Sequence, residues 1–341
     1  MRVRSSLFAL LALLPMACDG GAPPREGTSG SLGAAPSAAA VRAPTAPTAL
    51  ASPPGTLTAA TPPAPAPSAA TSAASGAVEP ASLIQAPRSL LPGEKRPFVL
   101  YLHGLGASGK LLLDVLHVAD LAQERKFVYA APDGALDGKK RRFWNASAAC
   151  CNEGHLAVDH VAELGRLIEA ARARPDVDPS RIYVLGFSNG GFMAHRLACE
   201  VPGIAAIASI AGAGPATADP PCSPKNPVGV LQVHGDADDV IHLEGGHALG
   251  NAAFPVHPSV QDTVLGWAQR NGAKYMLTQV KSMDLVDDTP GYETSVFVAA
   301  AGRAPVELWI VHEGKHLVAS GKKSQQAVLS FLELVALPKT P

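Results

Sequence analysis

Ser188 sits in Gly186-Phe187-Ser188-Asn189-Gly190, a stretch that fits G-x-S-x-G. A serine hydroxyl is a poor nucleophile at neutral pH and needs an adjacent base, usually a histidine held by a carboxylate. Two later polar runs hold such groups. His234-Gly235-Asp236-Ala237-Asp238-Asp239 offers three acids, and His312-Glu313-Gly314-Lys315-His316 offers two histidines. Serine, acid, histidine is an order in which such trios occur after a strand–turn–helix nucleophile. Spacing alone does not choose among the acids or between the histidines. The chemistry would be acyl transfer, with the hydroxyl attacking a carbonyl carbon. The oxyanion formed there needs two preorganised N–H donors. One follows the nucleophile and is the backbone N–H of Asn189. The other should come from the loop after the strand at 98–102, where Leu105 follows His103-Gly104.

Such groups work only if secondary structure holds them. Residues 181–185 form a β-branched and aliphatic run that reads as a buried strand, and 192–200 read as a helix. The serine therefore falls at a strand-to-helix turn, where only glycine at 186 and 190 leaves room for the neighbouring backbone. Further strands are expected at 98–102, 127–130, 204–210, 228–233 and 306–311, and helices at 111–125, 156–173, 259–271 and 324–335. The helix at 156–173 is amphipathic, with Val158, Val161, Leu164, Leu167 and Ile168 on one face. Apolar strands alternating with helices argue for an α/β fold, a mostly parallel sheet covered on both faces. Ligands bind such sheets beyond the carboxyl ends of the strands. Most of the polar motifs fall there.

Composition divides the chain. Of 341 residues with a formal net charge of -1, no basic block points to nucleic acid or to an anionic membrane surface. Residues 1–18 carry Arg2 and Arg4, an apolar run over 7–14 and then small residues, which reads as a secretory signal. Its end, Leu14-Pro15-Met16-Ala17-Cys18, resembles a bacterial lipoprotein cleavage site and makes Cys18 the expected lipid-bearing residue, with a membrane as its partner; a plain secretory signal on an extracellular protein is the alternative. Residues 19–86 are rich in Pro, Ala, Ser and Thr, with Arg42 the only charge between Gly27 and Val78. Such a segment cannot bury enough apolar surface to offset its ordering entropy and is expected to be a disordered tether. The globular domain is expected over 87–341. Its four cysteines, Cys150, Cys151, Cys199 and Cys222, form an even set in an exported domain, so two disulfides are expected. Adjacent cysteines rarely bridge each other, so Cys150 and Cys151 should pair with Cys199 and Cys222 in one of two ways. No paired C-x-x-C spacing points to zinc, and no cofactor motif occurs.

From about residue 98 to 335 the chain resembles the α/β-hydrolase esterases grouped with extracellular polyhydroxybutyrate depolymerases and feruloyl esterases. The resemblance lies in Leu102-His103-Gly104-Leu105-Gly106, Pro132-Asp133-Gly134, Trp144-Asn145-Ala146, Cys150-Cys151, the serine turn, His195 to Glu200, His234 to Asp238, Trp267 and Gly314-Lys315-His316. It implies Ser188 as nucleophile, Asp238 as acid and His316 as base, and an exported serine esterase acting on plant-polysaccharide esters or a polyester. It also implies that Trp144 lies beside the cleft, where its ring could stack on substrate; a core or loop-packing tryptophan is the alternative. Asp236 and Asp239 are then turn or solvated residues, and His312 a structural or rim histidine. His103 and His234 are expected to bond within their own turns, and His195 to pack. Two motifs depart from the family: Val240-Ile241 replaces Pro-Tyr after the acid, and Leu317 to Ser320 replaces a Trp-Pro-Gly stretch after the base. These changes at the rim open two other readings, an inert polysaccharide-binding surface protein and a serine peptidase on the same fold.

Overall fold

Residues 98–102 carry no charged side chain, so they are at home only inside a sheet covered on both faces. In the computed structural model they form β1 (Arg96–Leu102). The structure describes residues 79–338 apart from 89–90, 92, 218, 275, 286–292 and 300–301. The expected signal at 1–18 with Cys18, and the tether up to residue 78, lie outside the described residues. The expected boundary at 87 moves upstream: Pro80–Leu83 form a 3-10 turn and Ile84 is buried. Gln85 and Tyr129 exchange backbone hydrogen bonds of 2.8 and 2.9 Å, which ties this segment to the fold.

After β1 come α1 (Gly109–Val115), α2 (Val118–Arg125), β2 (Val128–Ala130), a hairpin of β3 (Ala135–Leu136) and β4 (Arg142–Phe143), and α3 (His160–Arg172). Then follow β5 (Val177–Phe187), α4 (Asn189–Glu200), β6 (Ala206–Ile210), β7 (Gly229–Gly235), α5 (Val260–Arg270), β8 (Leu277–Asp284), β9 (Glu293–Ala299), β10 (Val306–Val311) and α6 (Lys322–Glu333). Eight strands form one sheet in the order β2-β1-β5-β6-β7-β10-β9-β8, parallel from β2 to β10 and antiparallel at β10–β9 and β9–β8. This is the α/β-hydrolase architecture.

Alternation along each strand sorts the two cores. Phe98, Leu100, Leu102, Ile182 and Val184 point to one face, among Leu164, Phe192, Leu197 and Trp267 of α3, α4 and α5. Val99, Tyr101, Tyr183 and Leu185 point to the other, among Leu112, Leu121, Val328 and Leu332 of α1, α2 and α6. Each fully buried aliphatic or aromatic side chain contributes roughly 1.5–3 kcal/mol by its removal from water.

The expected elements are present with three differences. The helix foreseen at 111–125 is two, broken where His117 adopts a left-handed conformation (φ 54, ψ 32). The helix foreseen from 156 begins only at His160, because the Asp159 side chain accepts the Ala162 N–H at 2.9 Å and caps it there. The strands β8 and β9 and the short β3–β4 hairpin were not foreseen. β8 is exposed along most of its length and so lacks the apolar run by which a buried strand is read. Among the described residues no helix is long and apolar enough to cross a membrane.

Two buried histidines bind the layers as neutral rings. His195 on α4 accepts the Trp267 indole N–H at Nδ1 (2.9 Å) and faces the Gln232 carboxamide oxygen at 3.0 Å with Nε2. His160 accepts the Asn145 N–H at Nδ1 (2.8 Å). Burial, helped by the nearby Arg270, lowers the His195 pKa to about 4. Burial, then Arg196 and His103, does the same for His160, also to about 4. Both pKa values lie below the unfolded value near 6.5, so the fold favours the neutral ring. Stability is complete above pH 6.5 and is lost as pH falls toward 4, because only the unfolded chain then gains these protons. Each ring should cost about 1.4 kcal/mol per pH unit across that window. The urea midpoint should therefore fall between pH 6.5 and 5, before carboxylates begin to titrate. A midpoint constant over that range would contradict the assignment.

Candidate active site

Ser188 ends β5 and begins α4 with φ 53 and ψ −118, a region that costs a side-chain-bearing residue on the order of 1–3 kcal/mol. Tight surroundings hold it there. Its N–H donates to Ile210 O (2.8 Å), and its carbonyl accepts the N–H groups of Gly191 (2.7 Å) and Phe192 (3.1 Å). A Cβ on Gly186 would stand 2.0 Å from Gly190 O, and one on Gly190 would stand 2.0 Å from Leu102 O. Both positions must therefore be glycine for the start of α4 to press against the end of β1.

The acid and the base arrive from neighbouring parallel strands. In the β7–β10 pairing His234 lies opposite Ile310 and Gly235 opposite Val311, so the loops that follow leave from one end of the sheet. A Cβ on Gly235 would stand 2.0 Å from Gly314 O, which shows how closely the two loops pack. His316 Nε2 lies 2.9 Å from Ser188 Oγ, and His316 Nδ1 lies 2.9 Å from Asp238 Oδ2. The structure thus brings Ser188, His316 and Asp238 into one hydrogen-bonded line. The Asp238 side chain is fully buried, and its Oδ1 accepts the N–H groups of Val240 and Ile241 at 2.9 Å each. Burial alone would raise its pKa. Hydrogen bonds from His234 and His316, the His316 charge and the Ile241 N–H outweigh burial and hold the carboxyl well below the usual carboxylate range. A fixed anion beside Nδ1 keeps that nitrogen protonated and leaves Nε2 free to take the serine proton.

The other candidates form a second His–Asp pair, with His312 four residues before His316 and Asp236 two before Asp238. His312 Nδ1 lies 2.9 Å from Asp236 Oδ2, and His312 Nε2 lies 2.7 Å from Ser295 Oγ on β9. Asp236 also accepts the Glu313 N–H (2.7 Å). Ser295 stands in mid-strand, almost fully buried and without an elbow, so this trio fastens β9 to the base loop. Asp239 is exposed. His234 does more than bond within its turn: its Nε2 meets both Ile241 O (2.7 Å) and Asp238 Oδ2 (3.3 Å). The four-residue spacing of His234 and Asp238 was the available signal.

The Gly104–Leu105 turn packs on the serine, since a Cβ on Gly104 would stand 3.3 Å from Ser188 Cβ. Among the described residues, neither the Leu105 nor the Asn189 backbone N–H donates to a protein carbonyl. Leu105 and Asn189, expected to carry the two donors, directly follow the two packed residues Gly104 and Ser188.

Trp144 is a correction. Its side chain is 0% exposed and its indole N–H donates to His103 O (2.9 Å), so no face of the ring is available to stack on a substrate. The disulfide pairing is another. Cys199 pairs with Cys222, and Cys150 pairs with its neighbour Cys151 across a cis peptide that brings their Cα atoms to 3.1 Å. The expectation rested on the rarity of bridges between adjacent cysteines. The Trp144 loop is consequently held to α4 by other means. Asn189 Oδ1 accepts the Trp144 N–H (2.6 Å), Asn189 Nδ2 donates to Trp144 O (3.0 Å), and Arg196 donates to Asn145 O (2.7 Å). Only the backbone of Asn189 was foreseen; nothing in a local motif announces that its side chain reaches 45 residues back.

A profile of the phospholipase/carboxylesterase family matches residues 92–266, a stretch that includes Ser188 and Asp238 and ends before His316. The chain is 24% identical over 258 residues to feruloyl esterase B of Piromyces equi, covering 73% of this chain and 45% of that one. It is 35% identical over 159 residues to the putative esterase NocK of Nocardia uniformis subsp. tsuyamanensis, covering 45% of this chain and 43% of that one. The chain thus spans less than half the length of these curated relatives. Among solved structures, the acetyl xylan esterase from Aspergillus awamori shares the fold at 16% identity and a TM-score of 0.51, covering 73% of this chain and 93% of that one.

The two His–Asp pairs can be told apart by labelling with a fluorophosphonate. Asp238→Asn should slow labelling of Ser188 by about 10³–10⁴-fold, as loss of a triad acid does. Asp236→Asn should slow it less than about tenfold. Equal losses in the two variants would refute the sorting.

Proposed function

This chain belongs to the phospholipase/carboxylesterase family, and we propose from that premise that it is a serine carboxylic-ester hydrolase. Ser188 Oγ attacks the ester carbonyl while His316 Nε2 takes its proton. Asp238 holds the imidazole in the tautomer with Nδ1 protonated and stabilises the imidazolium. The N–H groups of Leu105 and Asn189 receive the developing oxyanion. Collapse of the tetrahedral species transfers the proton from His316 to the leaving alkoxide and leaves the acyl group on Ser188. Water, deprotonated by His316, then releases the acid and restores the serine. The observation that carries this reading is the unbroken line Ser188 Oγ, His316, Asp238 at 2.9 Å per step.

The substrate class is an ester of a plant polysaccharide, feruloylated or acetylated. It is supported by relatives named feruloyl esterase B and, in Neocallimastix patriciarum, bifunctional acetylxylan esterase/xylanase. A polyester remains the other substrate that motif resemblance points to. The proposed organisation places a signal with lipidation of Cys18 at 1–18, a tether after it and the catalytic domain beyond, which would hold the enzyme outside the cell on a membrane. A complete trio is not what an inert binding protein would need to retain.

Purified protein should hydrolyse p-nitrophenyl acetate or butyrate, and Ser188→Ala should lower kcat by at least about 10³-fold. Methyl ferulate and acetylated xylan, assayed in parallel, sort the acyl groups. Wild-type turnover by Ser188→Ala would end the serine mechanism.

A further inference from the structure

Trp144 touches neither the nucleophile nor the base, yet it connects the two segments that carry the oxyanion donors. Its backbone is gripped at both polar groups by the Asn189 carboxamide, at 2.6 and 3.0 Å. Asn189 supplies one donor and begins α4. At its other end the Trp144 indole N–H donates to His103 O at 2.9 Å. His103 passes the constraint on. Its Nε2 accepts the Gly134 N–H (2.9 Å), which puts the ring proton on Nδ1, and Nδ1–H donates to Gly104 O (2.8 Å). The Ala107 N–H donates to the same carbonyl at 3.1 Å. Because a peptide is planar and trans, fixing the Gly104 carbonyl fixes the direction of the Leu105 N–H that shares its plane. The Trp144 and His103 rings are packed at 4.9 Å between centroids, and both residues are fully buried.

We propose that Trp144 is a positioning residue that sets the spacing between the Leu105 and Asn189 N–H donors, with its backbone clamped to α4 and its indole to the turn after β1. The inference depends on the serine-hydrolase reading above. It replaces the substrate-stacking role with one that acts through other residues. Oxyanion donors must meet the position the oxygen will occupy in the transition state, and a shift of about 1 Å can cost on the order of a hundredfold in rate. A buried clamp of this kind suits that task better than solvent-exposed loop contacts.

Two variants of the full chain test it. Trp144→Phe keeps an aromatic body and removes the indole N–H; Asn189→Ala keeps the backbone donor and removes the clamp. Each should lower kcat for p-nitrophenyl butyrate about tenfold or more, with KM changed less than about twofold. Affinity for an alkyl trifluoromethyl ketone, which forms a tetrahedral oxyanion adduct, should fall by the same factor as kcat/KM. Inhibition by the butyrate product should hold, a split that general loosening of the fold would not produce. Because both variants break one clamp, the double variant should be no more than about twofold worse than the poorer single. If Trp144→Phe fails to fold by circular dichroism, Asn189→Ala alone decides. Activity within twofold of wild type in the folded variants, or lowered kcat with undiminished ketone affinity, overturns the proposal. Ser188→Ala, run alongside, separates the two readings. Wild-type turnover there defeats the mechanism itself, whereas an inactive Ser188→Ala beside a fully active Trp144→Phe defeats only the positioning role.

Discussion

The approach of α4 to the end of β1 is the constraint on which the site depends. Gly190 lies so close to the Leu102 carbonyl, and Gly186 to Gly190, that any Cβ would stand 2.0 Å from an oxygen. With both glycines the helix begins directly against the strand ends, and Ser188 is driven into a backbone region a serine seldom occupies. The buried sheet around it supplies the stability that such a conformation costs. The same approach brings the Gly104–Leu105 turn against the serine and puts Asn189 within reach of the Trp144 loop. The proposed nucleophile, the proposed donors and their supports follow from one contact.

Parallel strand pairing does comparable work on the other side. Register between β7 and β10 sends two loops off the same end of the sheet, each with polar side chains spaced to meet the other's. Two His–Asp pairs form across the gap, and their environments separate their roles. Asp238 is buried among four hydrogen-bonding groups and faces a histidine that reaches the serine. Asp236 is partly exposed and faces a histidine that reaches Ser295 on β9. The outer pair braces the loop that presents the inner one.

Much of this was legible in the residues. Apolar runs marked the buried strands, and glycine flanks with an adjoining helix marked the serine turn, because close backbone approach leaves a strong local signature. The edge strand β8 left none, since an exposed strand needs no apolar run, and β9, whose apolar run at 296–299 is short, was missed with it. Cys150 and Cys151 were mispaired because bridges between adjacent cysteines are rare and the expectation set one aside. Trp144 was misjudged for a related reason. Resemblance placed it near the cleft, but whether a large ring faces solvent or lies beneath the loop depends on what packs over it.

The chain by itself determined the α/β layering, the glycine-framed nucleophile and the short set of acids and histidines, all of which follow from local periodicity and steric need. Spacing left the acid and the base open, although family resemblance pointed to Asp238 and His316. Only the tertiary structure shows that Asp238 meets the histidine that meets the serine, that the Asn189 side chain spans 45 residues to grip Trp144, and which cysteines join. Each of these is a contact between segments distant in sequence or a peptide geometry outside the usual one. Such contacts are set by strand register and packing, which act between elements and leave no trace in the spacing within any one of them.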